Sequence, residues 1–173
     1  MKILVVGGAG YIGSHMVKQL ALAGHDVIIL DNLSYGYRDA VKYGEFVEGD
    51  LGDRAILDSI FAADDVDAVM HFAGFIQVGE SVEKPSVYYL NNVVNTHTLL
   101  DAMLRHEVKN FIFSSTAAIF GEPEYTPIDE KHKKQPINPY GHSKLMIEQV
   151  LDDYDKAYGL RSTCLRYFNA TGA

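Results

Sequence analysis

The sequence is poor in sulfur chemistry. Its single cysteine, Cys164, has no partner for an internal disulfide, and with no histidine nearby to activate it the thiol reads as a small core side chain. Positive charge is also scarce. Fifteen Lys and Arg face 23 Asp and Glu, a formal net charge of −8, opposite to the basic footprint of a nucleic-acid binder. Long apolar runs are missing too. The longest, such as Ile3 to Ala9 and Val27 to Leu30, fall far short of the roughly 20 residues of a membrane span, and no cationic leader precedes the first. A soluble, cytoplasmic protein is expected, with neither nucleic acid nor membrane as partner. The seven histidines form no His-x-x-x-His pair, and Asp152, Asp153 and Asp155 lack the glycine and closing glutamate of a calcium loop, so no metal is expected. Lys131 to Lys134, in a proline-flanked segment, reads as a solvated loop.

What is present is a chain of 173 residues, 47% hydrophobic and 22% charged, enough for one sizeable core. Short runs rich in β-branched and aromatic residues recur at Ile3 to Val6, Val27 to Leu30, Phe46 to Val47, Ala68 to Phe72, Phe111 to Phe113 and Ser162 to Leu165, as strands buried on both faces require. Between them, apolar residues at helical spacing predict helices at 12–23, 53–62, 86–105 and 140–158. Strand and helix in alternation specify an α/β fold, a doubly wound parallel sheet, because parallel neighbours need a crossover.

The first strand runs into Gly7, Gly10 and Gly13, spaced Gly-x-x-Gly-x-x-Gly around Tyr11 and Ile12. Such a turn needs glycine where backbone approaches backbone or phosphate, and the helix it opens points its amides and dipole at an anion. The next strand ends at Asp31, where a carboxylate would accept both hydroxyls of an adenosine ribose and repel a 2′-phosphate, favouring NAD over NADP. A cap or turn role is the alternative for Asp31, and Asn32-Leu33-Ser34 can supply that instead. Two further strand ends, Gly49-Asp50-Leu51 and His71-Phe72-Ala73-Gly74, are placed to touch an adenine edge and a second phosphate or ribose, or are ordinary turns. After the fifth strand come Ser114-Ser115-Thr116. Tyr140 and Lys144, four apart behind Pro139, share one face of a helix. A cation beside a phenol lowers its pKa, making Tyr140 a candidate general base with Lys144 as its tuner.

Together the glycine turn, Asp31, the Ser115/Thr116 pair and Tyr140-x-x-x-Lys144 resemble the extended short-chain dehydrogenase/reductase family. Within it, residues 8–15, 78–81, 110–115 and 165–169 resemble the 4-epimerases of nucleotide sugars along the whole chain. The resemblance implies a Rossmann-type sheet, NAD as cofactor, a UDP-sugar as substrate and a homodimer. It implies that Tyr140 takes the proton of the sugar 4-hydroxyl while hydride passes between C4 and the nicotinamide, that Thr116 binds the reacting oxygen, and that Lys144 binds the nicotinamide ribose. Asn92 matches a cofactor-contacting asparagine, and Ser114 lies at the same cofactor edge. Tyr167, Phe168 and Asn169 match the segment that meets the UDP-sugar, Phe168 reaching the cofactor. The dimer interface would use the helices at 86–105 and 140–158, through Val87, Tyr88, Leu99, Met103, Met146, Val150 and Tyr154.

The pattern departs from the family at Phe75-Ile76-Gln77, where many epimerases carry a leucine-lysine pair, and at Phe120, which replaces a tyrosine. A nucleotide-sugar 4,6-dehydratase is the rival enzyme, but Ala117 and Ala118 stand where its acid and base would follow Thr116. Family chains continue for about as much again, so residues 1–173 are expected to form an NAD-binding domain with the nucleotide-sugar domain largely missing. An NAD-binding fragment without turnover is the alternative reading.

Overall fold

The computed structural model describes residues 1–171. Six parallel strands form one sheet: β1 Lys2–Val6, β2 Asp26–Asp31, β3 Glu45–Glu48, β4 Ala68–His71, β5 Asn110–Thr116 and β6 Arg161–Tyr167. Their order is β3-β2-β1-β4-β5-β6. The helices are α1 Tyr11–Leu22, α2 Arg54–Ala63, α3 Val78–Glu83, α4 Pro85–Tyr89, α5 Thr96–Arg105 and α6 Pro139–Tyr158. Because the chain leaves β1 toward β2 and later returns to β4 on the other side, the connections part between β1 and β4, opening the crevice in which such sheets bind ligands.

Alternation within the strands feeds two cores. Leu4, Val6, Ile28, Leu30, Val69, Phe111 and Phe113 pack on one face against Leu57, Leu99, Met103, Ile147 and Leu151 from α2, α5 and α6. Ile3, Val5, Val27, Ile29 and Met70 pack on the other against Val17 of α1. Cys164 is partly buried against the first core, as expected, and burial pushes its thiol up to about 11. The helix boundaries are written locally. Asp53 caps α2 by accepting from the Ala55 and Ile56 amides. Asn138 caps α6 by accepting from Gly141 N at 2.8 Å, with Pro139 following it. Gly159, at φ 68°, ends α6 in the left-handed region.

Two expectations need correction. The single helix predicted over 86–105 is instead α4, a π-type turn at Leu90–Asn95, and α5. The wide turn carries Asn92 inward to 1% exposure, where its amide serves another loop. The short α3 ahead of them was missed. The 131–134 segment is not simply a solvated loop: His132 is buried against Phe120 and Tyr125, and Lys134 reaches the buried Glu148 at 3.1 Å. Among the described residues, no helix is long and apolar enough to cross a membrane.

Candidate active site

A crevice of about 800 Å³ runs along the carboxyl ends of the strands, from Asn32, Gly49 and Leu51 past the glycine turn to Thr116, Tyr140, Tyr167 and Asn169. Its first end is shaped by main chain. Gly7 sits at φ +81°, and a Cβ there would lie 2.5 Å from Ala73 N. A Cβ on Gly13 would lie 2.1 Å from the Gly7 carbonyl oxygen. Both glycines are thus required by the packing of the turn on itself and on the loop after β4. Gly10 is different: a Cβ there would meet only Gly7 O, at 3.3 Å, and would otherwise project into the cradle. Gly10 also caps α1 with no side-chain hydrogen bond, and a helix start of this kind suits an anion.

Asp31 is buried and fills the turn role weighed for it. One carboxylate oxygen accepts from Ala9 N at 2.9 Å and the other from Leu33 N at 2.8 Å, which fixes the carboxylate at the crevice wall with lone pairs to spare. Asn32 turns the other way. Its carbonyl accepts from Ser34 N, and its amide donates to Asp50 at 2.8 Å. Asp50 in turn accepts from Gly52 N and Asn95, so Leu51 and Gly49, rather than the Asp50 carboxylate, line the crevice. Phe72, Ala73 and Gly74 line it. Asn92 lies behind that lining. Its side chain accepts from Phe75 N at 2.9 Å and donates to Phe75 O at 3.0 Å and to Ser143 at 3.2 Å, fastening the loop after β4 to α6.

The second end is built from side chains on β5, α6 and the end of β6. Lys144 is 3% exposed. Its ammonium donates to the Ser114 carbonyl at 2.9 Å and stands 4.8 Å from the Phe113 ring centroid. That carbonyl is its one hydrogen-bond acceptor among the described residues, which leaves two N–H groups for a ligand. Burial pulls its pKa down to about 8. Thr116 accepts from Ala118 N at 3.1 Å and lies beside the Tyr140 phenol. The expected depression of the Tyr140 pKa by Lys144 is not what the structure shows. Burial dominates and raises it, with the Thr116 hydroxyl opposing, because removing the phenolate from water costs more than one hydrogen bond returns. His71, under this floor, donates or accepts with Thr96 at 3.0 Å, and burial holds its ring neutral, down to about 3.

Sequence reasoning missed a buried ionic group behind the site. Glu148 accepts from Ser115 at 2.7 Å, from Arg166 Nε and Nη2 at 3.0 Å each, and from Lys134 at 3.1 Å. Its signal was the spacing Tyr140, Lys144, Glu148, three successive turns of one helix face. Through it α6 is tied to the strand ends carrying Thr116 and Tyr167. Of the proposed interface residues, Tyr88, Leu99 and Met103 are fully buried in the monomer, whereas Val87 and Met146 are exposed and Val150 and Tyr154 are partly buried against the core.

The model of the NAD dependent epimerase/dehydratase family matches residues 3–173. The chain belongs to that family. Among its relatives, UDP-glucose 4-epimerases of Rhizobium meliloti and Halalkalibacterium halodurans are each 53% identical, over 99% and 100% of this chain and 52% of their own lengths. Among solved family members, UDP-glucose 4-epimerase from Brucella ovis in complex with NAD superimposes with a TM-score of 0.98 at 52% identity, covering 99% of this chain and 53% of that one. The enzyme from Bifidobacterium longum, in complex with NAD+ and UDP, gives 0.93 at 41% identity over 98% of this chain. The chain spans about half the length of the curated relatives it matches.

Proposed function

We propose that these residues form the cofactor-binding part of an NAD-dependent 4-epimerase of UDP-sugars, interconverting UDP-glucose and UDP-galactose. The observation that carries this reading is the continuity of one crevice from the glycine turn and Asp31 to Tyr140, Lys144 and Thr116. The names of the relatives and the NAD held by solved family members support it. The residues fit the cofactor. Gly10 and the start of α1 would hold the diphosphate, Asp31 a ribose, Leu51 and Gly49 the adenine, and Lys144 a second ribose through its two remaining N–H groups. When bound, NAD would supply a reversible hydride acceptor at the sugar C4.

The chain's own residues handle the proton and the positioning. Tyr140 takes the proton of the 4-hydroxyl and returns it, and Thr116 holds the same oxygen. Burial raises the pKa of the phenol, so positive charge beside it is what makes it a base. Lys144, one turn along, supplies part of that charge, and its anchoring at Ser114 fixes where it acts. Tyr167 and Asn169 meet the substrate side, with Phe168 toward the cofactor. Ala117 and Ala118 in the crevice wall offer no acid or base for eliminating water, which weighs against a dehydratase. We assign the protein to the cytoplasm and to a homodimer through exposed Val87, Leu90, Val94 and Met146.

The test is to purify the whole protein, extract it for NAD, and follow conversion of UDP-galactose to UDP-glucose. Bound NAD together with conversion is expected. A protein that carries no NAD, or that yields a 4-keto-6-deoxy sugar, would overturn the reading.

A further inference from the structure

The loops leaving β2 and β4 flank the glycine turn, because those strands are the two neighbours of β1. Each loop is pinned to the turn. On one side Tyr37 N donates to the Ala9 carbonyl at 3.0 Å, and a Cβ on Gly36 would lie 2.9 Å from Ala9. On the other, Ala73 N passes 2.5 Å from where a Gly7 Cβ would stand. From these pinned loops Tyr35 and Phe75 reach toward each other and meet edge to face, with ring centroids 5.3 Å apart and planes at 72°. Both line the crevice. Glycine turn, β2 loop, ring pair and β4 loop therefore make a closed circuit of contacts around that part of the crevice.

The two sides of the circuit differ in firmness. Phe75 is held through both backbone polar groups by Asn92, and its ring also meets Tyr88 at 5.8 Å. Tyr88 in turn accepts from Gln77 N and donates to Glu80. Tyr35 is 58% exposed and meets the far side through its ring. One member is anchored at several points; the other is exposed.

We infer that Tyr35 and Phe75 form an aromatic clasp across the glycine turn that retains a bound dinucleotide, whose release requires the two rings to part. The inference rests on the cofactor reading above and deepens it. A diphosphate seated on the turn would lie within the circuit, gripped by backbone amides on one side and covered by ring edges on the other. Edge-to-face pairing is favourable beyond the area it buries, and that surplus must be lost before the cofactor can leave.

The whole protein, purified with its bound NAD, is mixed with an excess of deuterium-labelled NAD, and the bound pool is followed by mass spectrometry. Tyr35→Ala and Phe75→Leu should exchange NAD roughly 3- to 10-fold faster than the parent, the factor an aromatic pair supplies. Tyr35→Phe, which keeps the ring, should match the parent, and the double variant should be no faster than the faster single one. Parental exchange in Tyr35→Ala, or Tyr35→Phe as fast as Tyr35→Ala, overturns the clasp while leaving the cofactor reading intact. A parent protein that takes up no NAD overturns both.

Discussion

Around the glycine turn the crevice is walled by main chain, whereas between β5 and α6 it is walled by side chains whose charge the protein controls. At the first end the demands are steric. Gly7 and Gly13 exist because a methyl group would strike Ala73 N or Gly7 O, and Asp31 is fixed by two backbone amides. At the second end the demands are electrostatic: a buried ammonium with one acceptor, a buried phenol, and a carboxylate shared among Ser115, Arg166 and Lys134. The two ends should therefore fail differently, one by losing shape and cofactor together, the other by losing chemistry while shape survives.

The largest expected effect belongs to the chemical end. Tyr140→Phe removes only the phenolic oxygen and should lower turnover by ~10²- to 10⁴-fold, the usual contribution of a general base, with NAD content unchanged. Loss of the cofactor in that variant, measured by extraction and absorbance, would erase the distinction between the two ends. Gly13→Ala is the matching break at the first end. Its new methyl must displace backbone, so a stability loss of about 1–3 kcal/mol is expected from overpacking, together with loss of NAD. Gly10→Ala, with room for its methyl, should keep stability and lose affinity. Urea denaturation of the two variants decides it; equal stability losses would contradict the assignment of these glycines.

Asp31→Asn sharpens the comparison at smaller amplitude. It weakens the carboxylate's hold on the Ala9 and Leu33 amides, a change of about 1 kcal/mol, and removes the negative charge facing a 2′-phosphate. Calorimetric titration should show the preference for NAD over NADP narrowing; an unchanged ratio would place the ribose elsewhere. A further effect is a slope rather than a step. Lys144 has a folded pKa of about 8 against an ordinary 10.5, so between those values the unfolded chain binds more protons and stability rises with pH. Below about pH 8 the burial penalty is present in full. Lys144→Met should flatten that rise in cofactor-free protein, and thermal melts at pH 8 and 10 would detect a slope that survives.

The steric end was largely legible in the sequence, because glycine spacing and a strand-terminal acid are one-dimensional signals. Six strands and the long helices emerged from periodicity alone, as β1 and α6 show. The chemical end was legible only as identities. Tyr140 and Lys144 could be named, but the direction of the Tyr140 pKa depends on burial, and burial is set by packing from elements distant in the chain. Glu148 shares the spacing of Tyr140 and Lys144, but only the pairing of β5 with β6 brings Ser115 and Arg166 to it. Tyr35 and Phe75, forty residues apart, carry no shared local signal; only the strand order places them together. The helix expected over 86–105 failed at the turn that serves Asn92, where a tertiary contact outweighs helical propensity.

That π-type turn, Leu90–Asn95, has a consequence for how the chain tolerates change in length. It accommodates more backbone than an α-turn would, and on either side of it stand side chains with fixed partners: Tyr88, which meets Phe75 and Glu80, before it, and Thr96, which meets His71, after it. Removing a single residue here would wind the segment into ordinary helix and rotate one flank against the other by about 100°, so that either the Phe75 loop or the His71 floor loses its support. Exchanging Leu90 or Val94, both exposed, leaves the packing within the chain intact and bears only on the homodimer proposed above. The number of residues between Tyr88 and Thr96 cannot be altered on the same terms.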